Sequence, residues 1–193
     1  MLEIFSGTSY SDLGKRICQD LGIKPGFFQR KEYSNSCFEL IFQENLYGKI
    51  VFLIQTSLAE SHKLHEQIWE LLQMVNFCRS CGAKEIIAIM PYVSYSRSDK
   101  IHTKGMVINA ELLVKLLEAA GITGFMRIDF HSSEFVKFFS SKVYHLSALD
   151  LLVQALKKNN LDDSFILPAD KGVLEKSPIL GKKLCLEVGR VEK

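Results

Sequence analysis

No apolar run in this chain approaches the ~18 consecutive residues that a membrane-spanning helix needs, so no such helix and no membrane partner are expected. Charge of one sign is not in excess either. The 24 Lys and Arg residues against 22 Asp and Glu leave a formal net charge of +2 at pH 7. A dedicated nucleic-acid binder carries a strong basic excess, so no nucleic-acid partner is expected, although a local anion site is compatible with this balance. The five cysteines are odd in number and irregular in spacing, which does not suit a disulfide framework. The start Met1-Leu2-Glu3-Ile4-Phe5 is too short and too acidic for a secretory leader, and a reducing, cytoplasmic setting is the expectation. There is no internal repeat at a fixed short period and no low-complexity tract. Cys78-x-x-Cys81 lacks the second pair that a zinc site needs and reads as core at the end of a helix. His62 and His65 have no third ligand near them in sequence and read as surface residues.

What is present is a chain built for a packed core. Hydrophobic residues make up 47% and charged residues 24% of 193 residues, enough for one full domain or one domain and part of a second. After Leu2–Phe5, Ser9-x-x-Asp12 fits a capping box, with Leu13, Ile17 and Leu21 at helical spacing and Gly22 as the stop. Cys37–Phe42 and Lys49–Gln55 are β-rich and predict a hairpin or close strand pair, an antiparallel flag over residues 33–55. A helix is predicted from a Ser61 cap to Ser80, with Leu64, Ile68, Leu71, Leu72 and Val75 as its apolar stripe. Glu85–Met90 and Gly124–Asp129 read as strands buried on both faces, with a helix over Val107–Ala120 between them. Ser147-x-x-Asp150 fits a second capping box opening Ala148–Lys158, and Ser164–Leu167 and Lys183–Val188 read as further strands. Alternating strands and helices predict an α/β fold with a doubly wound, mainly parallel sheet. A boundary is placed between residues 1–146 and 147–193, where a new helix–strand series begins.

Open α/β sheets bind ligands at the carboxyl ends of their strands, and four such ends carry polar clusters. Ser6-Gly7-Thr8-Ser9 suits either an anion-binding loop or a plain helix cap. Pro91–Lys100 is long, with Tyr92 and Tyr95 able to stack on a base and Arg97 and Lys100 able to meet phosphates; a solvated loop is the equal alternative. Asp129-Phe130-His131 places a carboxylate and an imidazole just past a buried strand, typed for metal or phosphate work, or for a helix cap beside a satisfied histidine. Asp170-Lys171-Gly172 suits metal binding or an ordinary turn.

Taken in order, these segments resemble a known family. Phe5-Ser6-Gly7, Tyr33-Ser34-Asn35-Ser36, Glu44-Asn45, Pro91-Tyr92-x-x-Tyr95-x-Arg97-x-Asp99, Asp129-Phe130-His131 with Phe138-Phe139, and Asp170-x-Gly172 are similar to ribose-phosphate pyrophosphokinase, or phosphoribosyl pyrophosphate synthetase. The resemblance covers the N-terminal domain and the opening of the C-terminal domain of that family. It implies a phosphoribosyltransferase-like fold and transfer of the β,γ-diphosphoryl group of Mg·ATP to ribose 5-phosphate, a step of nucleotide biosynthesis. It further implies that Arg97, Ser98 and Asp99 lie in the ATP site and that His131 is catalytic and faces the phosphates and Mg2+, supported by Asp129. Asp170 would bind metal or ribose, and Tyr33, Asn35 and Cys37 would reach the ATP of a neighbouring subunit in a homo-oligomer.

This chain departs from the family pattern at named positions. Phe-Ser-Asp-Gly-Glu reads Tyr33-Ser34-Asn35-Ser36-Cys37, so both acids that would contact adenine are replaced. Arg-Gln-Asp reads Arg97-Ser98-Asp99, Glu134 and Lys137 stand for Gln and Gly, and Pro-Asp-x-Gly-Gly reads Ala169-Asp170-Lys171-Gly172-Val173. The sugar-phosphate loop, two acids followed by Thr-Gly-Gly-Thr, has no counterpart in the 193 residues, and the catalytic lysine has none near Val188-Gly189-Arg190. Two expectations follow: half of an enzyme with very weak turnover on its own, or a non-catalytic relative that binds nucleotide or regulates an oligomer.

Overall fold

The computed structural model describes residues 1–57, 64–129, 133–169, 171–174 and 177–189. The chain divides into two compact units, Met1–Leu146 and Ser147–Lys193.

In the first unit, β1 (Leu2–Ser6), β4 (Ile50–Ile54), β5 (Glu85–Ile89), β6 (Gly124–Ile128) and β7 (Lys142–Leu146) form a parallel sheet in the order β1-β4-β5-β6-β7. Alternation along each strand divides its residues between two faces. Phe5, Val51, Leu53, Ile86, Ala88 and Phe125 pack under α2 (Leu64–Ser80), α3 (Asn109–Ala120) and α4 (Ser133–Val136). Ile4 and Ile54, with Phe52 and Ile89, pack against Leu13, Ile17 and Cys18 of α1 (Ser11–Asp20) on the other face. The sheet is therefore doubly wound, as the apolar runs predict. β7 has no counterpart in the sequence reading because Lys142 and His145 dilute its apolar signal at the sheet edge.

The helix ends follow their chemistry except at the predicted caps. Gly22 (φ 65°), Gly82 (φ 71°) and Gly121 (φ 121°) follow α1, α2 and α3. The capping box at Ser9 does not form: α1 begins after Tyr10 without a side-chain cap, because the Ser9 hydroxyl is held by Gln55 and the Thr56 N–H. In α2 the fully buried stripe is Gln67, Glu70, Leu71, Met74, Val75 and Cys78, rotated from the predicted one. Ile68 and Leu72 are only half-buried, and the Ser61 cap lies outside the described residues. Burial pushes the Cys78 thiol up to about 12, so it behaves as an inert core residue, as its missing partners implied.

The antiparallel flag is real, but its strands differ from expectation. β2 (Phe28–Glu32) pairs with β3 (Phe38–Phe42), while β4 runs parallel to β1 inside the main sheet. β2 escaped the reading because Gln29, Arg30, Lys31 and Glu32 hide its alternation. The base of the flag is anchored by aromatic packing: Phe42 stacks on Phe77 at 4.1 Å between centroids and meets Phe5 edge-on at 5.5 Å. Gly26 lies against the Phe5 ring and donates its N–H to the Ile4 carbonyl at 2.8 Å, which covers the outer edge of β1.

In the second unit, α5 (Leu149–Leu156), α6 (Lys171–Leu174) and α7 (Ser177–Leu184) accompany a parallel pair, β8 (Phe165–Ile166) and β9 (Glu187–Val188). Lys183 and Leu184, expected in a strand, end α7 instead, and the strand is confined to Glu187–Val188. The Ser147 hydroxyl accepts the Leu149 N–H at 3.2 Å, while Asp150 pairs with Lys183 at 2.6 Å rather than closing a box. Among the described residues no helix is long and apolar enough to cross a membrane.

Glu118 of α3 holds the turn into β7. One carboxylate oxygen accepts the Ser140 N–H (2.7 Å), the Ser141 N–H (2.8 Å) and the Ser141 hydroxyl (2.9 Å). Partial burial alone would raise this carboxyl's pKa, but the bonds from Ser141 and Ser140 outweigh it and hold it below the usual value. A depressed folded-state pKa stabilises above the unfolded carboxyl value, and that gain is lost as pH falls through the folded value. Glu118→Gln is expected to cost about 1 kcal/mol near neutral pH, with the gap to wild type closing on acidification. Melting curves across a pH series read this; a gap that does not change with pH refutes it.

Candidate active site

Parallel strands put the segments after β1, β4, β5 and β6 on one edge of the sheet, and three of the four polar clusters follow β1, β5 and β6, while the fourth, Asp170-Lys171-Gly172, follows β8 in the second unit. The segment after β5 is pinned to the end of β4. The Thr56 and Ser57 hydroxyls reach the Tyr92 carbonyl at 3.3 and 3.4 Å, and the Ser94 N–H donates to the Ser57 hydroxyl at 3.0 Å. Val93, Ser94 and Ser96 are buried as a result, leaving Arg97 exposed and Asp99 buried. Tyr95 takes a left-handed backbone (φ 64°) and its hydroxyl lies 2.7 Å from His65 Nε2. Ser98 has a structural job: its carbonyl accepts the Ala110 N–H at 3.2 Å and its hydroxyl the Asn109 N–H at 3.3 Å, so it holds the start of α3.

β6 ends at Asp129, a non-glycine residue with φ 48°. Its N–H donates to the Leu146 carbonyl at 2.8 Å, so β7 fixes the turn. Arg127, two residues earlier, is buried, and its guanidinium lies 5.8 Å from the Phe135 ring centroid. Burial lowers the Arg127 pKa, opposed by the neighbouring Tyr92 and Asp129. His131 and Asp170 lie outside the described residues. Among the described residues no three His, Cys, Asp or Glu side chains gather to hold a metal ion.

The first strand end is closed by a network that sequence reasoning missed. Glu70 is fully buried; it accepts the Thr8 N–H (3.0 Å), the Thr8 hydroxyl (2.6 Å) and Gln55 Nε2 (3.0 Å), with Arg30 Nη1 at 3.6 Å. Gly7 and Ser9 direct their N–H groups to the Ile54 carbonyl and to Gln55. The Gly7, Thr8 and Ser9 amides, which an anion-binding loop would present, are thus engaged within the protein. The available signal was the i, i+3 pair Gln67 and Glu70 on the buried face of α2, polar groups that need partners when buried. A groove of about 580 Å³ beside this loop is lined by Thr8, Ser11, Lys15, Phe27 and Arg30, and one of about 350 Å³ between α2 and α3 by His65, Trp69, Tyr95 and Leu112.

At the tip of the flag, Tyr33 is exposed and donates its hydroxyl to Glu39 at 2.7 Å, a bond that raises the phenol's pKa. The Asn35 side-chain oxygen accepts the Cys37 N–H at 3.1 Å, and Ser36 takes φ 66° to close the turn.

The sequence model of the N-terminal domain of ribose phosphate pyrophosphokinase matches residues 2–121. The chain belongs to this family. It is 29% identical over 183 residues to a ribose-phosphate pyrophosphokinase from Gloeobacter violaceus, covering 95% of this chain and 54% of the relative. It is 28% identical over 195 residues to ribose-phosphate pyrophosphokinase 2 from Schizosaccharomyces pombe, covering 60% of that protein. A crystal structure of phosphoribosylpyrophosphate synthetase from Mycobacterium smegmatis superposes over the whole chain with a TM-score of 0.91 at 25% identity, covering 64% of that chain. The chain thus spans a little over half the length of the pyrophosphokinases it matches.

The Glu70 network separates buried from exposed charge in one measurement. Glu70→Ala is expected to cost about 3–5 kcal/mol, because it leaves Arg30 and Thr8 without their buried partner. Glu66 also pairs with Arg30, at 2.9 Å, but its side chain is 38% exposed, and Glu66→Ala is expected to cost no more than about 1 kcal/mol. Denaturant unfolding measures both; equal costs would contradict the assignment of Glu70 as the anchor.

Proposed function

We propose that this chain supplies the ATP-side half of a ribose-phosphate pyrophosphokinase, working in the cytoplasm as a homo-oligomer. The single observation that carries the reading is the family match over residues 2–121, within a sheet whose strand ends bear the ordered polar segments. In this reaction the anomeric hydroxyl of ribose 5-phosphate attacks the β-phosphorus of ATP, AMP leaves, and phosphoribosyl pyrophosphate forms. Such transfer depends on positioning and charge neutralisation rather than on a covalent enzyme intermediate.

In this reading Arg97, exposed on its pinned segment, meets the phosphates, and Asp99 and Ser98 shape the same segment. His131 donates to a phosphoryl oxygen, and Asp129 fixes the turn that carries it. Mg2+ needs only one or two carboxylates besides phosphate oxygens and water, and the hard oxygen donor Asp170 has that chemistry. When bound, Mg2+ would neutralise phosphate charge, with His131 in the first unit and Asp170 in the second each a candidate holder. Tyr33, Asn35 and Cys37 at the flag tip would face the adenine of a neighbouring copy.

A second reading, a non-catalytic relative that binds nucleotide or regulates an oligomer, is favoured by that tip. The Tyr33 hydroxyl and the Asn35 side chain are engaged within the hairpin, where the family's pattern has acids for adenine.

Calorimetric titration with Mg·ATP, on wild type, Arg97→Ala and His131→Ala, tests the shared part. Both variants are expected to bind at least about tenfold more weakly, since each removes a charge-assisted contact. A folded wild type that binds no ATP refutes the nucleotide site. Phosphoribosyl pyrophosphate formation from ribose 5-phosphate then separates the readings: turnover supports the enzyme, and ATP binding without turnover supports the non-catalytic relative.

A further inference from the structure

Two consecutive residues in the first turn of α2, His65 and Glu66, contact two different parts of the unit. Glu66 meets the flag. Arg30 of β2 lays its guanidinium on the Phe38 ring, 3.8 Å from the centroid, and reaches α2 with Nη2 2.9 Å from Glu66 and Nη1 3.6 Å from Glu70. The buried Glu70 alone balances this cation, so the bond to Glu66 exceeds what neutralisation needs. It is a directional, charge-assisted contact between the flag and the start of the helix. His65 meets the segment after β5. Its Nε2 lies 2.7 Å from the Tyr95 hydroxyl, and the ring centroids are 6.2 Å apart. Tyr95 has a left-handed backbone (φ 64°), which costs a non-glycine residue and persists only where contacts hold it. Two contacts do so here: the Ser98 N–H donates to the Tyr95 carbonyl at 2.8 Å, and the hydroxyl meets His65. Arg97 lies between Tyr95 and Ser98, so the bonds that fix them also aim its backbone.

We propose that His65 and Glu66 are positioning residues. Through them the first turn of α2 ties the Arg97 segment, which meets the phosphates in one copy, to the flag that the same copy extends to its neighbour. The two functional parts then shift together, because consecutive residues of one helical turn cannot move apart. The role in nucleotide binding rests on the reading of Arg97 and the flag given above; the mechanical tie rests only on the bonds to Arg30 and Tyr95.

The test is hydrogen exchange of the full chain without nucleotide, read at single amides by NMR. The reporters are the Tyr33 N–H, which donates to the Cys37 carbonyl at 2.8 Å on the flag, and the Ser98 N–H after β5. Rates are taken relative to the buried Leu53 amide of β4, which reports global opening. Tyr95→Phe removes one hydroxyl from the segment after β5, yet it should speed Tyr33 exchange by at least about threefold. Glu66→Ala, cut at the flag side, should speed Ser98 exchange by a similar factor. Glu66→Gln keeps an acceptor for Arg30 and should hold Ser98 within about twofold of wild type. Gln73 bonds the flag from further along α2, accepting the Leu40 N–H at 3.2 Å and donating to the Phe38 carbonyl at 3.1 Å. Gln73→Met should therefore loosen the flag and leave Ser98 within about twofold of wild type. Variants that act only on their own side would overturn the proposal. So would Gln73→Met acting on Ser98 as strongly as Glu66→Ala, which would mark a general loosening.

Mg·ATP titration of the same proteins separates failure of the tie from failure of the nucleotide reading. Tyr95→Phe and Glu66→Ala should each bind at least about threefold more weakly than wild type, and the double variant should lie within about twofold of the weaker single, because cutting either end of a tie cuts the whole. Losses that multiply would overturn the positioning role. If wild type binds no ATP, the nucleotide reading fails, and the exchange cross-effects decide the tie without it.

Discussion

The first unit is organised around one carboxylate with no access to water. Glu70 sits on the buried face of α2, among residues that are otherwise largely apolar. A buried charge is tolerated only when it is paired and hydrogen-bonded. Here its partners come from three places: Thr8 after β1, Gln55 after β4 and Arg30 on the flag, with Gln55 also donating to the Gln67 carbonyl of the same helix. Satisfying that one group determines where the β1 loop, the β4 end and the flag base can lie. It also explains why Ser9 does not cap α1: its hydroxyl is committed to this network.

The candidate site stands on the neighbouring strand ends and is held by the same kind of logic. Hydroxyls of Thr56 and Ser57 pin the segment after β5, so that Arg97 projects from a base that is itself buried. Ser98 ties the far end of that segment to α3. At β6 a left-handed Asp129 and a buried Arg127 replace an ordinary strand exit. Rigid pinning of loops that carry charge suits a reaction whose catalysis is positioning, because side chains held in place need no rearrangement to meet developing charge.

Membership of the pyrophosphokinase family and the share of length matched, 54% and 60% in two relatives, frame the functional question together. The whole chain superposes on the mycobacterial synthetase with a TM-score of 0.91. At the flag tip of this chain, Asn35 and Tyr33 bond within the hairpin. A backbone can be retained while its contacts change, since the fold depends on Phe5, Phe42 and Phe77 at the flag base and not on the tip.

Sequence alone determined the parallel α/β class, the order of the strand-end segments and most helix stops. Those features depend on local information: apolar runs such as Glu85–Ile89, and glycines at Gly22, Gly82 and Gly121 that take the positive φ a helix exit needs. The flag strand β2, the edge strand β7 and α7 were beyond it, because charged surface residues mask a short element's period. Pairing was also beyond it: Lys49–Gln55 looks like a hairpin arm, and only the tertiary structure shows its core inserted beside β1. The same holds for the chemistry around the site. Asp129 could be singled out from its place after a buried strand, but Glu70 and Arg127 carry meaning only through what surrounds them. Their significance lies in burial, and burial is a property of the assembled fold rather than of any stretch of chain.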